Sequence, residues 1–290
     1  MVTRLGLIGR GKWGRNIERT LLSLPGVSVV AIGRGEPRRR DLDGILIATP
    51  SATHAELALP YIEDGIAVFI EKPMATSVED AKRIQVAANR SRAAVFVGHI
   101  HLHNPAFVAL QTELPRLGTV HYVLCESAND SPRADSSILW DWLPHDLSRV
   151  RALFGGDPVS VQAWSLTGPQ SCQVAIARYR YGSASLVSTM SWLSPVRRQS
   201  MTITGERGVI IFDDKAEQKL VAHDKAGIAS YPDYDKELPL TRELRAFLDV
   251  VRGSSTDSSH LTLGIAVAKA IEAADQSIAG DGAPIEIRYE

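Results

Sequence analysis

Between the apolar run Leu5-Gly6-Leu7-Ile8 and an amphipathic stretch from about Lys12 to Leu24 lies Gly9-Arg10-Gly11-Lys12-Trp13-Gly14. A G-x-G-x-x-G turn between a buried strand and a helix constrains the chain more than any other feature. Its first glycine allows a tight turn, its second lets backbone approach a pyrophosphate, and its third lets helix pack closely on strand. The helix N-terminus adds unpaired N–H groups and a partial positive charge. The turn predicts a dinucleotide site built from Gly9, Arg10, Gly11, Lys12, Trp13 and Gly14. Which dinucleotide is read at the end of the second strand, where an acid suits a ribose 2′-hydroxyl and an arginine a 2′-phosphate. There the chain reads Ala31-Ile32-Gly33-Arg34-Gly35-Glu36. Arg34 in the acid's place favours NADP; the alternative is NAD held by Glu36, with Arg34 and Arg38-Arg39-Arg40 a solvated turn.

Five short, nearly all-apolar runs follow one another in the first third of the chain: Leu5-Ile8, Val27-Ile32, Ile45-Ala48, Ala67-Ile70 and Ala94-Val97. Amphipathic stretches separate them, which predicts a parallel sheet flanked by helices. Thr53 with Glu56 predicts a capping box for one helix, and Ser77 with Asp80 a weaker cap for the next. After Gly98 the rhythm changes to longer, alternating runs that predict an open, mainly antiparallel sheet. Helices are expected there at about 105–113, 144–154, 241–251 and 263–278. The length of 290 residues fits two domains, a Rossmann-like α/β domain over 1–98 and an α+β substrate and oligomerisation domain over 99–290.

Composition narrows the partners. A formal net charge of −1 with 44% hydrophobic residues excludes a disordered polyampholyte and argues against a nucleic-acid binder. The two cysteines, Cys125 and Cys172, form no disulfide framework, so a reducing, cytoplasmic setting is expected. No signal segment, membrane span or membrane partner is read from the apolar runs.

The candidate chemistry lies in two further segments. Lys72 follows the fourth strand at the carboxyl edge, where ligands bind in open α/β sheets. His145, after Pro144, is expected in the first turn of a helix, where the dipole disfavours the imidazolium and leaves the neutral ring a base requires. Asp141, four residues earlier, is placed to orient that ring or to bind a substrate hydroxyl. The alternatives are a plain capping His-Asp pair and a surface Glu71-Lys72 pair. His99, His101 and His103 alternate, so in an extended segment they share one side. They read as polar substrate contacts; a metal-dependent hydrolase is the competing reading, but no carboxylate or cysteine partner stands at convincing spacing. Trp140 and Trp142 flank Asp141 as a sugar-stacking surface or as buried packing.

Taken in order, these residues resemble the glucose-fructose oxidoreductase and inositol dehydrogenase family, written Gfo/Idh/MocA. The resemblance rests on the glycine turn, Ala48-Thr49-Pro50-Ser51-Ala52-Thr53-His54, Glu71-Lys72-Pro73, Gly98-His99 with Asn104-Pro105-Ala106, the segment 141–146, Ser191-Trp192-Leu193 and Thr204-Gly205. It implies a Rossmann domain followed by an α+β domain whose open sheet forms a homodimer or homotetramer interface. It implies NAD(P)-dependent hydride transfer on a sugar, cyclitol or nucleotide-linked sugar, with Lys72, Asp141 and His145 catalytic. Thr49, Pro50, His54, Glu71, Lys72 and Pro73 would join the cofactor site, and His99, His101, Asn104, Trp142 and His145 the substrate site. One departure is large: only residues 33 to 43 separate the second and third strands, too few for a crossover with its helix, which needs about a dozen or more. The second strand then becomes the sheet edge. A catalytically silent sugar-binding or regulatory relative is the alternative this departure raises.

Overall fold

The computed structural model describes residues 2–33, 35–168, 171–255 and 259–289. It divides into two compact units, Met1–His103 with Glu237–Ala268, and Asn104–Lys236 with Lys269–Glu290. This differs from a single cut at residue 98. The stretch 237–268 returns to the first unit, and the second division falls inside one helix, α7 (Ser259–Ala279). Among the described residues no helix is long and apolar enough to cross a membrane.

The first unit is built on five parallel strands, β1 (Thr3–Ile8), β2 (Val27–Ile32), β3 (Gly44–Ile47), β4 (Ala67–Glu71) and β5 (Val95–Gly98), in the order β2-β1-β3-β4-β5. Each is short and, apart from β2, almost fully buried, which is why it reads as a continuous apolar run. The helices α1 (Lys12–Leu22), α2 (His54–Glu63) and α3 (Val78–Ser91) connect them. On one face Ile17 and Leu21 of α1 join Leu5, Leu7, Leu46, Phe69 and Phe96 in a core. That core is completed by Leu244, Phe247 and Leu248 of α6 (Pro239–Val251), whose i, i+3, i+4 spacing gives the helix one apolar stripe. On the other face α2 packs on β3, β4 and α3.

The expected caps divide. Ser77 accepts the Asp80 amide at 3.1 Å and caps α3. Thr53 makes no capping bond to α2; its hydroxyl donates instead to the Pro50 carbonyl at 2.7 Å within a 3-10 turn, and Glu56 pairs with Arg83.

The described residues between β2 and β3 form no helix and no strand. Consequently β2 is the sheet edge and is half-exposed along most of its length. Leu42 turns inward, and a Cβ on Gly6 would come within 2.6 Å of it, so it covers β1 where a crossover helix would otherwise pack. Arg38 and Arg40 both reach Asp64 at the end of α2, at 3.0 and 3.1 Å, and Arg39 and Arg4 share Asp41 at 2.7 and 2.6 Å. These ion pairs tie the short connection down.

The second unit carries a nine-stranded sheet: β6 (Val120–Ala128), β7 (Ser160–Ser165), β8 (Val174–Tyr181), β9 (Ala184–Ser191), β10 (Arg198–Gly205), β11 (Gly208–Asp213), β12 (Leu220–Asp224), β13 (Ala229–Ser230) and β14 (Ile285–Glu286). Its order is β13-β12-β11-β10-β6-β9-β8-β7-β14, antiparallel except where β6 meets β9. Alternate residues are buried, as Ala175, Ala177 and Tyr179 of β8 and Leu186, Ser188 and Met190 of β9. The helices α4 (Pro105–Glu113) and α5 (Ile138–Phe154) cover that face. The opposite face leaves Tyr122 and Leu124 about 40% exposed.

The helix carrying His145 begins six residues before the expected start at Pro144. Ser137 caps it by accepting the Trp140 amide, Pro144 lies inside it, and Gly155 in the left-handed region ends it. His145 is therefore mid-helix, so the dipole argument for its neutral form does not apply.

Candidate functional site

In the first unit the carboxyl ends of all five strands point one way, so Gly9, Gly33, Ala48, Lys72 and His99 lie along one sheet edge. The order reverses on either side of β1, which makes the gap between β1 and β3 a topological switch point. Gly9 turns there with φ +97, against the Ala48 carbonyl, a conformation that a side chain would strain. Gly14 packs against the Gly9 carbonyl with no room for a Cβ. A Cβ on Gly11 would meet nothing within 4 Å, so this glycine keeps open the side by which a ligand reaches the backbone. Gly11 is the N-cap of α1, no side chain caps that end, and the first turn holds no acid. A bare helix N-terminus behind an open glycine fits a pyrophosphate. Lys12 is exposed, and Arg10 is tied to Glu18 at 3.0 Å.

Trp13 donates its indole N–H to Oε1 of Glu71 at 2.5 Å, while Oε2 accepts the Lys72 amide at 3.2 Å. The Glu71-Lys72-Pro73 turn is thereby joined to the glycine turn. His54 is 1% exposed and joins a third loop to it. Its Nδ1 meets the Pro73 carbonyl at 2.8 Å and its Nε2 the Thr49 carbonyl at 2.9 Å. Thr49 and Pro50 form the loop after β3, with the Thr53 hydroxyl 2.8 Å from that of Thr49. Lys72 and Pro73 are joined by a cis peptide bond.

Arg34, the residue that favours NADP, lies outside the described residues. Glu36 folds back on Gly33, so that a Cβ there would come within 2.7 Å of its Oε1, at the carboxyl end of β2. Arg38, Arg39 and Arg40 are engaged by Asp64 and Asp41, as a solvated turn would have them.

The histidines do not alternate along an extended segment, because Ile100–His103 is a 3-10 turn. His99 and His101 are buried, and His103 stacks on Phe96 at 5.9 Å. Burial first, then His260, His103 and Lys72, push His99 down to about 3, so its ring is neutral near neutral pH. His260, on α7, stacks on Phe96 at 3.6 Å and was invisible to motif reading. Among the described residues no three His, Cys, Asp or Glu side chains gather as metal ligands.

In the second unit Asp141 and His145 lie one turn apart on α5, each 8% exposed. Asp141 Oδ2 accepts the indole N–H of Trp192 at 3.2 Å and Oδ1 faces Arg133 at 3.4 Å. Arg133 also chelates Asp135; no sequence signal marked it. Trp142 is half-buried, its ring 6.2 Å from that of His145, whereas Trp140 is buried and donates to Asp275 at 2.8 Å. Asp146 does not cap a helix. It forms a fully buried ion pair with Arg149 at 2.6 Å, and the Arg149 Nε also reaches the His145 carbonyl at 3.2 Å. Asn104 spends its carbonyl on the Ala106 amide, capping α4, and its amide on Asp214.

A doubly wound α/β unit with a glycine-turn cradle and a second, open-sheet α+β unit define a two-unit fold class. The chain belongs to the Gfo/Idh/MocA family: residues 35–99 match the model described as the oxidoreductase family's NAD-binding Rossmann fold, and residues 110–211 match its C-terminal domain. It is 27% identical over 192 residues to inositol 2-dehydrogenase of Rhizobium meliloti (strain 1021), covering 56% of this chain and 58% of that enzyme. It is 30% identical over 125 residues to UDP-N-acetylglucosamine 3-dehydrogenase of Acidithiobacillus ferrooxidans, covering 42% of this chain and 39% of that enzyme. The matched stretches thus span little more than half the length of these relatives, or less. A candidate oxidoreductase of known crystal structure from Magnetospirillum magnetotacticum MS-1 superposes with a TM-score of 0.84 at 29% identity, covering 94% of this chain and 99% of that one.

Proposed function

We propose that the protein transfers hydride between NAD(P) and a carbinol carbon of a sugar, cyclitol or nucleotide-linked sugar. The observation that carries this reading is the uncapped N-terminus of α1 behind the open side of Gly11, on the same sheet edge as Lys72. The bound nicotinamide supplies the hydride donor or acceptor. His145 takes the carbinol proton in oxidation and returns it in reduction. Lys72 sets its ammonium against the charge that develops on the substrate oxygen. Asp141, fixed by Trp192 and Arg133, accepts a hydrogen bond from a substrate hydroxyl, and Trp142 offers a ring to the sugar. His99, His101 and Asn104 serve the substrate side indirectly, since burial and capping already occupy them. His145→Ala is expected to abolish turnover while leaving cofactor affinity within about twofold, as removal of a proton-transfer group would. Retained turnover in that variant removes His145 from the mechanism.

NAD is the cofactor favoured here, because the Glu36 carboxylate lies at the carboxyl end of β2, where an acid meets a ribose 2′-hydroxyl. NADP through Arg34 is the second reading. Glu36→Gln weakens NADH in the first case, and Arg34→Ala weakens NADPH in the second. The half-exposed sheet face with Tyr122 and Leu124 supports a homodimer or homotetramer, which light scattering measures directly. A sugar-binding relative without turnover draws support from the exposed edge of β2. A sugar that raises the melting temperature equally with and without dinucleotide, and is never oxidised, would establish that reading instead.

A further inference from the structure

Of the buried acids that the mechanism does not use, Glu243 stands apart. Glu243, on α6, is 0% exposed, and neither of its carboxyl oxygens has a hydrogen-bond partner among the described residues. One turn along α6, Phe247 meets the Phe69 ring edge-on at 5.5 Å. Two residues along β4 from Phe69, and so on the same face of the sheet, stands Glu71. The side chain of Glu71 lies over Gly98, where an added Cβ would come within 3.3 Å of Oε2 and 2.7 Å of the Phe69 ring. With α6 packed on β4, Glu243 and Glu71 lie on the same face of the first sheet.

Their surroundings are unequal. Glu71 receives two N–H groups, from Trp13 and from the Lys72 peptide, which suits a carboxylate. Glu243 receives none, so as an anion it would add a second, unsolvated charge to the same buried face. Two carboxyl groups so placed hold one proton between them. Burial, and then the charge of Glu71, push the Glu243 carboxyl well above the usual carboxylate range. The other ionisable groups packed into this region are Lys72, His99, His101, His103 and His260.

We infer that Glu243 is a neutral carboxylic acid that donates its proton to the Glu71 carboxylate, and that it is a positioning residue for Trp13 and the Lys72 turn. Its effect on cofactor affinity rests on the cofactor reading of the glycine turn; the shared proton does not. Glutamine can still donate to Glu71 from its amide, whereas leucine cannot.

The infrared difference between wild type and Glu243→Gln at about pH 8 is expected to contain the C=O stretch of one protonated carboxylic acid. A difference spectrum without that band overturns the inference. Trp13 emission, isolated by subtracting Trp13→Phe, is expected to shift in Glu243→Leu and not in Glu243→Gln. Affinity for NADH or NADPH should fall about tenfold in Glu243→Leu and stay within about twofold in Glu243→Gln, since the bond lost is one to a charged group. Equal changes in both variants, or none in the leucine variant, overturn the positioning role. Absence of dinucleotide binding in the wild type contradicts the cofactor reading, while the infrared band and Trp13 emission still decide this one.

Discussion

Burial raises two aspartic acids on and near α5, and their partners differ. Asp275 of α7 accepts the Trp140 indole, yet burial dominates and raises its carboxyl from 3.8 to about 6. A raised acid binds its proton more tightly in the folded state, so stability is greatest below the unfolded value and declines as pH climbs from about 4 through about 6. Asp275→Asn keeps an acceptor for Trp140 and cannot ionise. Melting curves should show it losing this decline and exceeding the wild type by about 1 to 3 kcal/mol above about pH 7; an unchanged pH profile contradicts the assignment. Asp146 is held by Arg149 within the core, with the Cys125 thiol pushed up by burial and by the same carboxylate. Arg149→Met leaves that carboxylate buried without its counter-charge, and urea unfolding should record a loss of about 3–5 kcal/mol. Adding Asp146→Asn should recover part of it. Neither pairing was legible in the sequence. His-Asp after Pro144 resembled a helix start, because proline is tolerated there, while the true cap is Ser137, whose signal precedes two tryptophans rather than a regular apolar stripe.

At the scale of elements, regular patterns were legible and destinations were not. The strand at 174–181 and the helix at 105–113 occupy the residues that alternation and an N-terminal proline predict. The two short strands β13 and β14 carry no period long enough to register. The apolar stripe at 241–251 predicts a helix, and α6 occupies 239–251, but a stripe states that a helix is buried and not against what. Its Phe247 meets both Phe69 and Phe96 of the first sheet. Phe247→Ala should therefore cost about 3–5 kcal/mol. Hydrogen exchange should quicken in β1, β4 and β5 and stay unchanged in β8 to β10. Quickening confined to the second sheet would contradict the placement of α6.

For the molecule as a whole, the glycine turn and the Glu71-Lys72-Pro73 turn at the sheet edge, and the Asp141 and His145 pair on α5, were legible as short motifs of particular residues. The supports beneath them were not: His54 reaches the Pro73 carbonyl and Trp192 reaches Asp141 across long stretches of sequence, and Arg133 stands in no motif. The shortened connection between β2 and β3 is stabilised in place by Leu42 and by four arginines on two aspartates, which makes β2 a settled edge. We propose that the first unit, so shortened, still holds a dinucleotide at Gly9 to Gly14. Fluorescence titration of the wild-type protein with NADH and NADPH tests it most directly. Saturable binding of at least one is expected, NADH the tighter, lost when Gly11→Val fills the open side of the turn. No binding of either at about millimolar concentration, where even a −4 kcal/mol interaction registers, would contradict it.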